Sequence, residues 1–509
     1  MRNRKDTARV LAVIFAAILS LPLVPTSAGA QDLPLAQVLP DLILREIILD
    51  NSPLPPGFRL PGGATHTAHF SPLTNELNNP VVGIVQGFNG QMATQFSTFP
   101  LGSSTGGLTY VFDASVGTFQ RGSTSFGPMF GERALTIGRR KLSAGFNYQH
   151  TSYNTFEGRN LNDGSIKFYL RHQDCCTGSP TSPLIFQPNG TRLNPPFEGD
   201  IIEAALSLKA TTDTTAVFAN YGVTDHWDIG LAVPFVRVNL DASVRARILR
   251  LVTGGCELDP NCTLTAEDRR SALNVHTFEL NKPDATLTVH RTGHASGLGD
   301  IVLRTKYHFL RRESGGLAAA VDLRLPTGDK NKLLGAGGVQ GKFLLVASNE
   351  RGRFGQHVNF GYTAAEGRVA GTLAGLTSAP LPDEINYSGG VEFVASPRFT
   401  LIGDLVGRTL RGAGRLDLAS KTFEYNDPGP SFTSMPGPGC GGFPGFLCRS
   451  VSFDEFNPRP GNLTLLLGTG GVKYNLGGSL LVSGSVLFPL TNTGLRSRMT
   501  TVIGLDYAF

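Results

Sequence analysis

The sequence predicts an all-β fold, an antiparallel transmembrane β-barrel of about 14 strands (12–16), preceded by an N-terminal plug-like segment. Three observations point there: an export signal at the start, long segments that alternate apolar and polar residues with period two, and a last strand that ends on an aromatic residue.

Arg2, Arg4, Lys5 and Arg9 make a positive leader, and Val10 to Leu21 an apolar stretch. Pro22 and Pro25 break it, and Ala28-Gly29-Ala30 supplies a small-residue cleavage pattern ahead of Gln31. Residues 1–30 are therefore expected to be a signal peptide, cut between Ala30 and Gln31. The apolar stretch is shorter than the roughly 20 residues a helix needs to span a bilayer. Its removal takes away four cations and Asp6 and lowers the formal charge from +5 to about +2, which gives no electrostatic basis for a nucleic-acid partner. No later segment offers the roughly 18 uninterrupted apolar residues of a membrane helix, whereas 62 Gly and 32 Pro suit many strands joined by long loops.

A strand with lipid on one side and a polar lumen on the other must read apolar-out, polar-in. Ile301, Leu303, Tyr307 and Phe309 lie on one face of their segment, against Asp300, Arg304, Lys306 and His308. Leu317, Ala319, Val321, Leu323 and Leu325 oppose Asp322 and Arg324. Ile385, Tyr387, Val391 and Phe393 oppose Glu384, Asn386 and Glu392. Leu142, Ala144, Phe146 and Tyr148 face away from Asn147 and Gln149, and Trp227 to Phe235 make another apolar row. These segments exceed the roughly 5–6 residues of a soluble sandwich strand and reach the length of a tilted membrane crossing. At the end, Ile503, Leu505, Tyr507 and Phe509 alternate with Val502, Gly504, Asp506 and Ala508. Tyr507 and Phe509 resemble the C-terminal signal by which outer-membrane barrels are taken up by the barrel-assembly machinery.

Short connections at Gly138–Lys141, Gly222–His226, Arg311–Gly315, Glu350–Arg353, Ser396–Arg398 and Asn475–Gly478 alternate with long ones, as periplasmic turns alternate with outer loops. Strands are expected near 108–119, 130–138, 141–157, 200–221, 227–249, 297–311, 315–326, 338–349, 354–364, 384–395, 398–411, 462–475, 478–489 and 498–509, which places the barrel at 108–509. All six cysteines then fall in outer loops, where an oxidising compartment favours pairing within a loop. Cys256–Cys262 and Cys440–Cys448 are the preferred pairs. A bond between the adjacent Cys175 and Cys176 would be strained, and no spacing suits zinc.

Residues 31–107 stand ahead of the barrel as a plug or a periplasmic segment. Leu42, Ile43, Leu44, Ile47, Ile48 and Leu49 suggest one short helix, and the Pro/Gly/Asn-rich remainder reads as irregular. Ala336 to Lys342 has most of a phosphate-loop spacing, but Phe343 replaces the hydroxyl residue and the segment opens a strand. His66 and His69 have no neighbouring carboxylate or cysteine that would complete a metal site. No serine stands in a Gly-x-Ser-x-Gly context; His308 and His357, with Asp300, Asp322 and Asp404, are expected to line the lumen without catalysis. Arg304, Lys306, Arg324, Lys342 and Arg408 face Asp322, Glu392, Asp404 and Asp506 there, a mixture of signs. No cofactor, metal or enzymatic activity is expected.

Three stretches carry a resemblance. Tyr221-Gly-Val-Thr-Asp-His-Trp-Asp-Ile-Gly-Leu-Ala-Val-Pro234, Gly297-Leu-Gly-Asp-Ile-Val-Leu-Arg-Thr-Lys-Tyr307 and Leu323-Arg-Leu-Pro-Thr-Gly-Asp329 resemble the outer-membrane family of meta-pathway phenol-degradation proteins, and Ala395 to Leu401 is similar to a turn recurring in it. The resemblance implies an architecture related to the long-chain fatty-acid and aromatic-hydrocarbon channels, with 14 strands, an N-terminal plug and sideways release of substrate into the membrane. The Asn-Pro-Ala plug motif of the fatty-acid channels is not matched, since Val81 follows Asn79-Pro80. The expected function is passive uptake of small hydrophobic compounds, aromatic ones included, with outer-membrane lipid as the surrounding partner. A general porin and a structural or adhesive surface protein are the other readings. Glycines within strands, Gly468, Gly470, Gly471 and Gly484, are candidates for a wall kink or for close packing.

Overall fold

The computed structural model describes residues 33–47, 80–98, 102, 107–113, 115, 118–171, 200–249, 251, 278, 286–312, 315–369, 378–427, 435–438, 444–445 and 447–509. The proposed signal peptide, His66, His69, Cys175, Cys176, Cys256, Cys262 and Cys440 lie outside them.

Twelve antiparallel staves close a barrel. They are β1 (Leu142–Phe156), β2 (Ile201–Gly222), β3 (Trp227–Leu249), β4 (Thr286–Leu298 continued by Val302–Arg312), β5 (Gly315–Arg324) and β6 (Gly338–Arg351). The circuit continues through β7 (Phe354–Gly367), β8 (Asp383–Ser396), β9 (Phe399–Arg411), β10 (Leu463–Gly477), β11 (Leu480–Pro489) and β12 (Leu495–Ala508). Each pairs with its neighbours in the chain, and β1 closes the circuit by pairing with both β12 and β2. The two parts of β4 count as one stave because they occupy successive places along β3, Phe235 opposite Leu298 and Ala232 opposite Val302.

The count of about 14 is thus corrected to 12, and the two surplus strands are the first two. Within 108–119 the chain forms only a small hairpin, Tyr110–Asp113 with Thr118–Arg121, paired to itself. Residues 130–138 form no strand at all. The barrel begins at Leu142, and β4 begins at Thr286, inside what the sequence reads as a loop. Outside the circuit, Arg415–Asp427 and Leu447–Arg459 pair as a long hairpin beyond β9. Cys448 within it is disulfide-bonded.

The exterior follows from alternation. On β3 the outward row is apolar from Trp227 to Phe235, with Trp227, Ile229 and Leu231 exposed, and then turns to Arg237, Asn239 and Asp241. The apolar part is roughly 27 Å along the strand, which the tilt of a barrel stave reduces to about 20 Å of depth, close to a lipid band. Leu303, Phe343, Val358, Phe360, Leu405 and Ile503 continue this exposed apolar belt around the wall. Aromatic pairs mark its lower rim: Phe354 with Phe393 at 5.1 Å, Phe399 with Tyr474 at 6.4 Å and Tyr507 with Phe509 at 4.6 Å. An apolar belt with an aromatic girdle around a closed antiparallel barrel is the design of an outer-membrane protein.

The inward row of β3 runs the other way, with Asp228 at the bottom and Val236, Val238, Leu240, Val244 and Ile248 buried above. Above the belt the apolar face turns inward because it packs on helices. These are α1 (Val38–Leu44) and α2 (Pro80–Ser97). Val81, Ile84, Val85, Phe88, Met92 and Phe96 recur at helical spacing on α2 and join one cluster with α1 and the inward rows of β2 and β3. Phe88 meets Phe156 of β1 at 4.4 Å, and Asn89 Nδ2 donates to Ala36 O at 2.9 Å, tying α2 to the turn that leads into α1. The short expected helix is shifted towards the N-terminus and ends at Leu44. The region read as irregular contains α2, whose signal is diluted by Gly83, Gly87 and Gly90, all poor helix formers. Outside the belt, burial holds the Glu157 carboxyl above its ordinary range, opposed by Arg415, which lies 3.6 Å away on the outer hairpin.

Candidate functional site: a chamber in the lumen

Residues 123–137 cross the lumen. Their ends lie on adjacent residues: Gly122 N–H donates to Thr109 O at 2.8 Å, and Tyr110 N–H donates to Ile137 O at 3.0 Å. An extended chain without a neighbouring strand has no ladder for its backbone, so the inward polar side chains of the staves take that role. Lys473 Nζ donates to Phe126 O at 3.1 Å and Pro128 O at 2.8 Å. Asp404 Oδ2 accepts from the Met129 and Phe130 N–H groups at 3.0 and 3.1 Å. Asn359 Oδ1 accepts from Glu132 N–H, Ser348 Oγ from Ala134 N–H and Asp228 Oδ2 from Ile137 N–H. Lys306 Nζ donates to the carbonyls of Arg133 and Leu135 at 3.2 and 2.9 Å. Six staves thereby hold one crossing segment, which forms the floor of the upper lumen.

Behind the floor, His357 lies between two carboxylates, with Nδ1 3.3 Å from Glu392 and Nε2 3.3 Å from Asp404. Ser125 hydrogen-bonds the other Glu392 oxygen. Gly131 packs on the imidazole: a Cβ there would fall 2.5 Å from His357 Nε2, so only glycine allows this approach. The roof is the end of α2. Arg324 Nη1 donates to Ser97 O at 2.8 Å, and Arg408 Nη1 donates to Thr98 O at 2.6 Å. Two wall arginines thus cap the negative end of the helix dipole.

Floor and roof enclose a chamber of about 190 Å³. Its lining mixes apolar side chains, among them Phe130, Tyr153, Leu344, Leu465 and Leu467, with the charged Arg304, Asp322, Lys342, Glu384 and Arg408. Arg304 holds Asp322 through both oxygens, at 2.5 and 2.6 Å, and also bonds Glu132 on the floor. Lys342 lies 2.9 Å from Asp322, and Arg408 lies 3.4 Å from Glu384. Lys342, in the segment with phosphate-loop-like spacing, is thus a member of this wall network.

The wall is interrupted where β4 breaks, at Gly299–Ile301, and where β5 stops at Arg324. The loop 325–337 fills the gap. Asp300 accepts the Gly328 N–H on Oδ1 at 3.0 Å and the Ala336 N–H on Oδ2 at 2.7 Å. Thr327 Oγ1 donates to Gly299 O at 2.7 Å and accepts from Ile301 N–H at 3.0 Å. Two of the three motif stretches, Gly297–Tyr307 and Leu323–Asp329, are therefore the two halves of one lock. Leu333 and Leu334 of the loop join the apolar cluster with Leu35 and Val38. The chamber reaches the wall beside this break, at Leu231, Ala232 and Val302. The candidate glycines do not form the break, because β10 and β11 stay paired from Leu467 to Asn475; Gly468 is covered by the Phe488 ring.

Each hydrogen bond to the Asp300 carboxylate contributes about 1.5–3 kcal/mol. Asp300→Ala is expected to free the loop and speed tryptic cleavage at Lys330 and Lys332 at least tenfold. An unchanged rate would mean that the Thr327 hydrogen bonds and the burial of Leu333 and Leu334 hold the gap shut without Asp300.

Of the residues assigned to the lumen from sequence, all but Asp300 turn inward: His308, His357, Lys306, Asp322, Glu392, Asp404, Arg408 and Asp506 are buried, and Arg304, Arg324 and Lys342 line the chamber. Asp300 is turned to the loop. Asp228, Gln340, Ser348, Asn359, Lys473 and Arg496 are not among those expected from sequence. Five of them are polar residues at inward positions of alternating staves, a signal present in the sequence. Arg496 was missed because the last strand was expected to begin at 498, whereas β12 begins at Leu495.

No curated protein matches the chain. Solved structures that align with it include a FadL homologue of Pseudomonas aeruginosa, with 9% identity, 73% of this chain and 90% of that one covered, and a TM-score of 0.29. The toluene transporter TbuX of Ralstonia pickettii aligns with 12% identity over 74% and 91% of the two chains, at a TM-score of 0.30. The monoaromatic hydrocarbon channel CymD aligns with 10% identity over 73% and 89%, at 0.27. Scores of this size carry no weight for fold or substrate, and the barrel rests on its own strand pairing. Residues 185–370 match the family model described as "Putative MetA-pathway of phenol degradation", the family that the motifs at Tyr221–Pro234, Gly297–Tyr307 and Leu323–Asp329 resemble.

Proposed function

We propose that the protein is an outer-membrane channel for passive uptake of small hydrophobic compounds, aromatic ones included. The observation that carries this reading is the lumen itself: the protein's own chain closes it at two levels and leaves a small, partly apolar chamber in place of a continuous water pore. A solute enters from the outer side past α1 and α2, rests in the chamber and leaves sideways into the lipid belt. The break in β4 supports the sideways exit, since the chamber meets the wall at Leu231 and Val302 and the loop 325–337 closes the gap above.

The test is uptake into vesicles whose outer leaflet carries lipopolysaccharide, comparing toluene with a small sugar for the full mature chain. Toluene uptake several-fold above protein-free vesicles, with sugar uptake at their level, is expected. Rapid sugar uptake would make the protein a general porin and end this reading.

A further inference from the structure

The lower rim of the wall carries an excess of one charge. Arg139 and Arg140 stand in the turn before β1, and Arg311 and Arg312 at the end of β4. Arg351 and Arg353 flank the turn from β6 to β7, and Arg398 stands in the turn from β8 to β9. All are exposed, and among the described residues none has a carboxylate within ion-pair distance. The acids of the short turns do not offset them. Glu350 is turned to the crossing segment, where it bonds Ser123 and accepts the Thr124 N–H at 3.4 Å. Asp225 accepts the Arg139 backbone N–H at 3.3 Å, and Glu313 lies outside the described residues. The outer edge of the belt differs: there Arg237 lies directly opposite Asp213 and Lys209 directly opposite Asp241, so the two signs meet.

The arginines lie at the level of the aromatic girdle. Arg351 is directly opposite Phe354 in the strand register, and Arg398 immediately precedes Phe399. Both rings belong to the pairs that mark the lower edge of the lipid belt. Directly opposite residues share one face of a sheet, so Arg351 points outward with Phe354, which is exposed. An arginine beside an interfacial ring lays its stem on apolar surface and keeps its guanidinium at headgroup depth. Clustered cations at a bilayer surface attract anionic lipid, and the guanidinium fork matches a phosphate. Short turns mark this rim as periplasmic, the side on which the outer membrane is made of phospholipid.

We propose that the lower rim is a docking surface for anionic phospholipid of the inner leaflet. The arginines of the four turns receive the phosphates, and the girdle rings take the upper acyl chains. The surface holds the barrel at one depth, with rings on the acyl side of the boundary and arginines on the headgroup side. It acts independently of what passes through the lumen.

Trp227, the protein's one tryptophan, is placed to report on it. It is exposed at the lower edge of the belt, directly opposite Tyr307 of β4, the stave that ends at Arg311 and Arg312. On its other side Arg140 N–H donates to Gly222 O at 2.7 Å. The full mature chain is folded into vesicles of phosphatidylethanolamine with a minor share of phosphatidylglycerol, and bromine is placed on the acyl chains of one lipid or the other. Quenching of Trp227 by brominated phosphatidylglycerol is expected to correspond to at least a threefold local enrichment over its share of the bilayer. Arg139→Gln with Arg140→Gln, and separately Arg311→Gln with Arg312→Gln, should each at least halve that enrichment. Arg498→Gln, at the outer end of β12, should leave it unchanged. If one pair does not fold, the other carries the comparison. Quenching no greater than the bulk share in the parent chain, or enrichment unaltered in the paired variants, overturns the proposal and turns the rim towards an acidic partner other than lipid.

Discussion

Excising residues 123–137 and joining Gly122 to Gly138 through two glycines is expected to make the barrel permeable to small sugars, raising uptake into vesicles at least tenfold. The ends of the segment already meet at Thr109 and Tyr110, so the excision needs little rearrangement of the flanking chain. Its loss removes the floor and frees the side chains that hold it, Lys306, Lys473, Asp404 and Asp228, to water. A charged, hydrated lumen then conducts polar solutes as a porin does. The full chain, with floor and roof both in place, is expected to exclude the same sugar. Continued exclusion after the excision would show that α2 alone seals the lumen and would relieve the crossing segment of this role.

Replacing Asp404 by alanine is the single substitution with the largest expected cost. Its carboxylate takes two backbone N–H groups of the floor on one oxygen, and His357 Nε2 lies 3.3 Å from the other. Alanine orphans both amides and leaves His357 with Glu392 as its one carboxylate neighbour. Breaking a buried charge network in this way costs about 3–5 kcal/mol, which should appear in equilibrium urea unfolding of the barrel in phospholipid vesicles. Asp404→Asn keeps an acceptor for the two amides and should lose clearly less. If alanine falls within about 1 kcal/mol of the parent, the remaining attachments carry the floor and Asp404 is dispensable to it.

Several features of the molecule are local and could be read from residues alone. Every stave from Leu142 onward matches an expected strand, save that the upper part of β4, from Thr286, reads as loop, because a wall between lipid and a polar lumen imposes period two on each crossing. The inward turn of Arg304, Asp322, His357 and Asp404 follows from the same period. The motifs at Gly297–Tyr307 and Leu323–Asp329 marked the wall break without revealing it, since neither half of the Asp300 lock shows its purpose until the other lies beside it.

Local pattern specified the kind of wall: the alternation, the belt and the side chains given to the lumen. How many staves close it and what the lumen holds were settled by contacts between distant parts of the chain. Residues 130–138 read as a strand, but Phe130, Glu132, Arg133, Ala134 and Leu135 bond the side chains of Asp404, Asn359, Lys306 and Ser348 rather than a neighbouring strand. Local pattern records that a backbone must be satisfied and leaves its partner unspecified. For the same reason the upper half of β3, apolar on its inner face, takes its meaning from α1 and α2, which lie far from it in the chain. Closure, floor and roof are all contacts of long sequence separation, and these are made only when the barrel folds around its own N-terminus.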